Sequence, residues 1–220
     1  NTGCKTYNAI DSQEVMKAAR ENERVGIRRF SLVTSGKRVS EHDLPAFLDM
    51  YRRLNAETSL YLCASMGLLS EGQMHELREA GVKRYHCNLE TSAEFFPTLC
   101  STHTSEEKKQ TIRAARKAGL QVCSGGIIGM GESMAHRIDL AFELRELDVD
   151  SVPINILEPI KGTPLENQPL ISEEEIIRTV AIFRFILPDK TLRFAGGRKR
   201  LSHTSMARIL RGGMNGVLMG

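Results

Sequence analysis

Two thiols that are far apart in the sequence occur in similar local settings. Cys63 lies in the apolar segment 60–65, and Cys123 lies where the apolar segment 120–123 turns into a glycine-rich loop. Both segments have the composition of buried strands that end near the cysteine. A thiol at a strand end beside paired glycines suits a metal cluster, or a cofactor that the backbone approaches closely. The two thiols therefore predict one shared site.

The other cysteines have different interpretations. A lone buried cysteine is usually a small core residue. Cys87 precedes Asn88, which is predicted to face inward, so Cys87 should point toward the helices as a structural residue. Cys100 lies in a loop and has no assigned role. Cys4 precedes the first helix, and both a role at the site and no role remain open for it.

Helix start and stop signals indicate the elements that position these thiols. Capping boxes are predicted at Ser70, Thr104 and Ser172, and glycines at positions 26, 81 and 119 have the setting of helix C′ residues. The pattern predicts strands near 28–33, 60–65, 83–88, 121–125, 151–156, 191–195 and 216–219. It predicts helices near 12–24, 42–55, 71–80, 105–118, 133–147, 173–187 and 201–212.

Strands that alternate with helices in this way form a parallel sheet with crossover helices. With one further strand before residue 1, the pattern predicts an α/β fold, a (β/α)8 TIM-type barrel with seven of its eight units in this sequence. No linker or change of composition appears, so residues 1–220 are expected to form a single domain. The first residue is Asn, and we expect the sequence to be a fragment of a longer chain.

Polar residues gather at the predicted strand ends. In parallel α/β folds the chemistry takes place at the carboxyl ends of the strands, where a barrel interior is otherwise filled by Val, Ile and Leu. A polar ring in such a place is costly unless a polar ligand satisfies it. The ring predicts a buried site formed by Arg29, Ser31, Cys63, Ser65, His86, Asn88, Glu90, Cys123, Ser124, Asn155 and Arg193.

Composition excludes several classes of function. The net charge is only +3 and aromatic residues are 5% of the chain, which argues against a nucleic-acid partner. No apolar run of about 18 residues predicts a membrane span, and no signal peptide is visible. Five cysteines fit a reducing cytoplasm better than a disulfide framework. No GxGxxG, HExxH or nucleophile elbow supports a dinucleotide-binding or hydrolase interpretation.

Several segments carry a specific resemblance to a known family. They are residues 88–92, 122–132, 152–155, 161–165 and 192–198. Over nearly its whole length the chain resembles the biotin synthases, which are radical S-adenosylmethionine enzymes with a barrel fold. The resemblance implies sulfur insertion into dethiobiotin. A 4Fe–4S cluster cleaves S-adenosylmethionine to a 5′-deoxyadenosyl radical that removes hydrogen atoms from the substrate, and an auxiliary Fe–S cluster gives up sulfide.

The resemblance also implies roles for individual residues. It assigns Cys63, Cys123 and Arg193 to the auxiliary cluster. It assigns Asn88, Glu90, Ile127 and Lys108 to S-adenosylmethionine, with lysine standing where an arginine is usual. It assigns Asn88, Asn155 and His86 to the substrate, and amide side chains suit a cyclic urea because they both donate and accept hydrogen bonds.

The sequence departs from the family pattern in three places. The triple-cysteine loop that holds the 4Fe–4S cluster is expected upstream of residue 1. Ser31 stands where the third auxiliary-cluster cysteine is expected, as in anaerobe-type members, which favours a variant cluster; Cys4 is the candidate for an additional ligand. The chain also ends at Gly220, where the family continues.

The resemblance further implies a flavodoxin- or ferredoxin-type reductant and a homodimer. Two alternatives remain at this stage. One is a radical S-adenosylmethionine enzyme with another substrate, related to the hydrogenase maturases or to methylornithine synthase. The other is a non-catalytic Fe–S scaffold.

Overall fold

A computed structural model of the chain describes residues 11–217, which form two compact units. The N-terminal unit comprises residues 11–87 and 107–122, and the C-terminal unit comprises residues 88–106 and 123–217.

The elements alternate between helices and strands. The helices are α1 (Ser12–Arg24), α2 (Leu44–Glu57), α3 (Glu71–Glu79), α4 (Ser105–Lys117), α5 (Met134–Glu146), α6 (Glu173–Ile186) and α7 (His203–Arg211). The strands are β1 (Arg29–Val33), β2 (Tyr61–Ser65), β3 (Arg84–His86), β4 (Gln121–Cys123), β5 (Gly126–Ile128), β6 (Ser151–Ile156), β7 (Thr191–Phe194) and β8 (Gly216–Val217). Short 3₁₀ turns occupy Phe96–Thr98 and Arg198–Arg200.

Each of the seven predicted helices and seven predicted strands has a counterpart among residues 11–217, and residues 218 and 219 of the last predicted strand lie outside them. Strand β5 is an eighth strand that the sequence did not predict. The capping signals explain the helix boundaries. The Ser70 hydroxyl accepts a hydrogen bond from the Gln73 backbone N–H in a complete capping box, and the Ser172 hydroxyl accepts one from the Glu175 N–H. Gly81 and Gly119 have φ angles of 103° and 78°, the left-handed conformation that favours glycine after a helix.

In the N-terminal unit, β1, β2 and β3 are parallel neighbours. Ser31 pairs with Cys63, and Cys63 pairs with Arg84. The backbone N–H of Gln121 donates to the Lys83 carbonyl at 3.0 Å, so β4 begins beside β3. Along β2, Leu62 and Ala64 are fully buried while Cys63 is half-buried. Since strand side chains alternate between faces, Cys63 lies on the face opposite to these core residues.

Two tyrosines anchor the core of this unit. The Tyr51 hydroxyl donates to the Cys63 carbonyl at 2.7 Å, and the Tyr85 hydroxyl donates to the Gly67 carbonyl at 2.6 Å. Both side chains are almost completely buried. Burial raises the pKa of each phenol well above its ordinary value, so both act as neutral donors.

In the C-terminal unit, β6 is the central strand. Cys123 at the end of β4 pairs with Ser151, Ile127 of β5 pairs with Asn155, and β7 lies on the other side of β6. Strand β8 follows β7, with Gly216 opposite Arg193. Every one of these pairings is parallel, which confirms the TIM-type (β/α) class. No helix among residues 11–217 is both long and apolar enough to cross a membrane.

Candidate functional site

The Cys123 thiol is in direct contact with a guanidinium group. Arg193 Nη2 donates to Cys123 Sγ at 2.9 Å. Cys123 is buried at the end of β4 and Arg193 projects from β7, two strands away across β6. The predicted association of Cys123 with Arg193 is therefore present in the C-terminal unit.

Polar atoms around this contact have unused hydrogen-bonding capacity. Arg193 Nε and the hydroxyls of Ser124 and Ser151 are buried and have no hydrogen-bond partner among the described residues. Buried polar groups are nearly always satisfied in folded proteins. A thiol, a guanidinium and orphaned donors in one place fit an anionic sulfur-containing group such as an Fe–S cluster, for which thiolate is the usual ligand.

Asn88 and Glu90 form a second group, on the loop after β3. The Gly125 N–H donates to Asn88 Oδ1 at 3.0 Å, and Asn88 Nδ2 donates to Glu90 Oε2 at 3.5 Å. Glu90 has a φ angle of 71°, which is uncommon for a residue with a side chain and is typical of binding sites. Its carbonyl accepts from the Ile127 N–H at 2.8 Å. The structure thus brings together Asn88, Glu90 and Ile127, as predicted.

Gly125 and Gly126 allow this close approach. A Cβ on Gly125 would lie 2.0 Å from the Pro153 carbonyl oxygen, and one on Gly126 would lie 2.3 Å from the Glu90 carbonyl oxygen. Neither position has room for a larger residue. Gly125 and Gly126 therefore allow one backbone segment to pack closely against another. This packing places the loop of Glu90 beside β5.

Asn155 lies at the same edge of the sheet. Its Nδ2 donates to the Gly126 carbonyl at 3.2 Å, and its Oδ1 accepts from the Gly196 N–H at 2.8 Å. These bonds fix the orientation of the amide. Each end still has capacity for a second hydrogen bond, since the nitrogen carries two hydrogens and the oxygen two lone pairs.

A buried ion pair that sequence analysis missed holds the glycine-rich loop. Glu132 accepts hydrogen bonds from the N–H groups of Gly129 and Met130, both at 2.7 Å, and from Arg137 Nε at 2.6 Å. Arg137 Nη1 also donates to Glu175 Oε1 on α6 at 2.7 Å. The side chains of Glu132 and Arg137 are each 1% exposed.

The sequence carried a signal for this pair. Arg137 falls on the buried stripe of α5 that contains Leu140, Ala141 and Leu144, where an apolar residue is expected. A cation at such a position requires a buried partner, and Glu132 is the nearest acid that precedes it.

The remaining predicted residues belong to the N-terminal unit or lie outside the described residues. Cys63 and His86 are half-buried on β2 and β3, and Lys108 is 9% exposed on α4. Cys87 is buried, as expected of a structural cysteine. Cys4, the candidate additional ligand, lies outside residues 11–217.

Comparison with known proteins decides the family. The Radical SAM superfamily model matches residues 2–144, and the Biotin and Thiamin Synthesis associated domain matches residues 153–220. The biotin synthase of Acetivibrio thermocellus is 51% identical over 220 residues, which is all of this chain and 68% of the relative. The chain belongs to the biotin synthase family. The biotin synthase of Clostridium botulinum (strain Alaska E43) is 51% identical over 219 residues and 69% of its own length.

Solved structures support the same fold at lower identity. A methylornithine synthase superposes with a TM-score of 0.83 and 20% identity, covering 98% of this chain and 64% of that protein. The hydrogenase maturase HydG of Carboxydothermus hydrogenoformans gives 0.79 and 16% identity, covering 96% and 51%. At these identities the likenesses show the fold alone.

Membership in the family makes the chain part of a radical S-adenosylmethionine enzyme. Such an enzyme uses S-adenosylmethionine and a 4Fe–4S cluster. The predicted fold class, enzyme class and family are thereby confirmed.

Proposed function

We propose that this chain is the barrel portion of a biotin synthase, which inserts sulfur into dethiobiotin to form biotin. The observation that carries the proposal is identity of 51% with an Acetivibrio biotin synthase over the entire chain. The solved structures of related radical enzymes are 20% identical or less, so they support the fold and not their own substrates.

Asn88, Glu90, Ile127 and Lys108 are proposed to bind S-adenosylmethionine. The Glu90 carboxylate and the Asn88 amide offer acceptors suited to ribose hydroxyls, and they are held by backbone bonds to Gly125 and Ile127. Lys108 is proposed to meet the carboxylate of the ligand as a point charge, without the bidentate geometry of arginine.

Asn155, Asn88 and His86 are proposed to bind dethiobiotin. The orientation of the Asn155 amide is fixed by its bonds to Gly126 and Gly196, which leaves one donor and one acceptor for a ureido group. A side chain that is positioned before the substrate arrives loses little entropy on binding.

Cys63, Cys123 and Arg193 are proposed as ligands of the auxiliary Fe–S cluster, with Cys4 as an additional ligand. The Arg193–Cys123 contact and the unpaired Arg193 Nε support two of these four ligands, Cys123 and Arg193. Ser31, the register partner of Cys63, stands where a third thiolate is usual, so we propose a cluster of variant composition.

The bound groups supply the chemistry that no side chain of this chain provides. The 4Fe–4S cluster and S-adenosylmethionine would supply the radical chemistry, and the auxiliary cluster, held by Cys63, Cys123 and Arg193, would supply the sulfide. The described residues orient the substrate through Asn155, hold the ligand loop through Glu132 and Gly125, and keep the Cys123 thiol buried and away from bulk water.

Anaerobic reconstitution of the full-length enzyme tests the proposal. With dethiobiotin, S-adenosylmethionine and a flavodoxin-type reductant, we expect biotin and 5′-deoxyadenosine together. Formation of 5′-deoxyadenosine without biotin would exclude the substrate. Absence of both products, with both clusters present by iron analysis, would leave the non-catalytic scaffold as the alternative.

We further propose a homodimer in the cytoplasm and a single radical S-adenosylmethionine domain over residues 1–220. The dimer is testable by the sedimentation of the full-length protein. A monomer at micromolar concentration would contradict it.

A further inference from the structure

Arg84 is a buried cation whose hydrogen-bonding capacity is largely unused. It begins β3 and is 5% exposed. Its Nη2 donates to Gln121 Oε1 at 2.5 Å, but Nε and Nη1 are buried with no partner among residues 11–217. An unpaired ion taken out of water is destabilising by several kcal/mol unless an opposite charge compensates it.

A second guanidinium lies in the same region. The Cζ atoms of Arg29 and Arg84 are 5.2 Å and 5.6 Å from the centre of the Tyr61 ring. The ring hydroxyl donates to Gln121 Oε1 at 2.6 Å, so the amide of Gln121 holds both Tyr61 and Arg84. Neither arginine forms an ion pair with a carboxylate within the described part of the chain. The charge of Arg84 is therefore not neutralised by an ion pair with a carboxylate among residues 11–217.

The strand register places Arg84 beside Cys63, because the two residues are partners in the pairing of β2 with β3. Tyr61 precedes Cys63 by two residues on β2, which puts both on one face about 6–7 Å apart. Arg29 pairs with Tyr61, as Ser31 pairs with Cys63. Arg29 and Tyr61 thus lie closer than Cys63 to the amino ends of the strands, and Arg84 is level with Cys63.

A cavity of about 590 Å³ lies beside the first residues of β1 and β2. It is lined by Arg28, Arg29 and Tyr61 and also by Glu23, and Arg84 is not among the residues that line it.

We propose that Arg84 binds a small inorganic monoanion beside Cys63. Its buried Nε–H and Nη1 groups point in different directions, and either can donate a charge-assisted hydrogen bond to an anion. We assign hydrosulfide as the anion that the enzyme uses. This assignment rests on the proposed function, in which the auxiliary cluster gives up sulfide at each turnover. The site would hold the replacement next to the ligand Cys63.

Bromide tests the site without any reference to the reaction. It is a monoanion whose anomalous scattering locates it in crystals. In the full-length enzyme crystallised with bromide, we expect a peak within hydrogen-bonding distance of Arg84 Nε or Nη1. The peak should disappear in Arg84→Gln and remain in Arg52→Gln, which removes a charge from an exposed pair with Asp49.

Two results of the crystal experiment overturn the site. One is the absence of a peak near Arg84 when bromide is seen elsewhere on the wild-type enzyme. The other is a carboxylate from outside residues 11–217 paired with Arg84 Nε or Nη1. Both are read from the wild-type protein, so neither depends on the folding of a variant.

Sulfide tests the assignment of the anion. The auxiliary cluster of the full-length enzyme is depleted by turnover and rebuilt with iron and graded sulfide, followed by visible absorbance. In Arg84→Gln the half-saturating sulfide concentration should rise about tenfold or more, since the charge-assisted hydrogen bond to the anion is lost. Arg52→Gln should match the wild type, and 5′-deoxyadenosine formation should be unchanged in both.

The bromide and sulfide experiments together distinguish failure of the anion site, of the assigned anion and of the proposed function. An unchanged sulfide dependence in Arg84→Gln, with bromide bound in the wild type, overturns hydrosulfide as the anion and keeps the site. A wild-type enzyme that holds no auxiliary cluster contradicts the proposed function, while the bromide result still decides the anion site.

Discussion

At the scale of single residues, the clearest arrangement is the contact between Arg193 and Cys123. A guanidinium can ligate a metal only rarely, yet its N–H groups readily donate to a thiolate or to the sulfides of a cluster. Arg193 uses one nitrogen on Cys123 and keeps Nε unpaired. The contact therefore links a cysteine of β4 with a cation of β7 and leaves a donor for a third group.

Replacement of Arg193 should act on the auxiliary cluster and not on cleavage of S-adenosylmethionine. Arg193→Met keeps the length of the side chain but removes every donor. We expect auxiliary iron affinity to fall at least about tenfold, because a proposed ligand of the cluster is removed. Iron and sulfide analysis of the full-length enzyme measures this, with Arg193→Lys as the charge-retaining control. Unchanged iron content in Arg193→Met would remove Arg193 from the site.

At the scale of elements, the glycine-rich loop between β5 and α5 is fixed by charge. Glu132 turns back from the start of α5 to bind two backbone N–H groups, and Arg137 ties it to Glu175 of α6. The loop that follows Ile127 is thereby fastened to two helices.

Removal of one partner of this buried ion pair should strongly lower the free energy of unfolding. Glu132→Gln leaves Arg137 with less compensation in a site that is 1% exposed, and we expect a loss of about 3–5 kcal/mol in unfolding free energy. Arg208→Ala, which removes an exposed pair with Glu174, should leave the unfolding free energy nearly unchanged. Urea denaturation of the two variants compares them. Equal effects would show that the buried pair contributes no more than a surface pair.

Gly126→Ala tests the approach of β5 to the Glu90 loop. The added Cβ would lie 2.3 Å from a backbone oxygen and 2.8 Å from Leu140 Cδ2. We expect a loss of about 1–3 kcal/mol and a raised KM for S-adenosylmethionine, because the loop must shift. Gly72→Ala in α3 is the matched control. Its Cβ meets nothing closer than 4.0 Å, so it should stabilise by about 0.5–1 kcal/mol.

Strand β5 was not predictable from the sequence, although β3 and β4, which are equally short, were predicted. Its three residues follow Gly125, and a glycine-rich segment of that length gives no alternation to detect. What makes Gly126–Ile128 a strand is pairing with β6, which is a tertiary contact. Helices α3 and α6 were predictable because Ser70 and Ser172 mark their starts chemically.

At the scale of the whole molecule, the predicted alternation of strands and helices gave the TIM-type class correctly. The candidate site was predicted less completely. Asn88, Glu90, Ile127 and Asn155 were identified and lie together in the C-terminal unit. Glu132 and Arg137 were missed as a pair because their ion pair is recognisable only from the burial of both side chains. Their spacing in the sequence does not indicate that burial.

The presence of Cys4, together with Ser31 in the place of a cysteine, leads to one further prediction. If Cys4 supplies the ligand that Ser31 cannot, Cys4→Ala should lower auxiliary iron and sulfide in the full-length enzyme. Cys100→Ala is the control, since Cys100 lies in a loop 3.4 Å from the Thr102 hydroxyl and from His103 Nδ1. Equal iron content in the two variants would exclude Cys4 as a ligand.

The buried phenols Tyr51 and Tyr85 make the N-terminal unit vulnerable to strong base. Their pKa values are raised by burial, so they favour the folded state below about pH 10, where an unfolded tyrosine begins to ionise. This contribution is lost as the pH rises further. We expect circular dichroism to show unfolding above about pH 10, shifted upward in Tyr51→Phe. An enzyme whose chemistry concerns iron and sulfur thus has an alkaline limit set by two hydroxyls that touch neither.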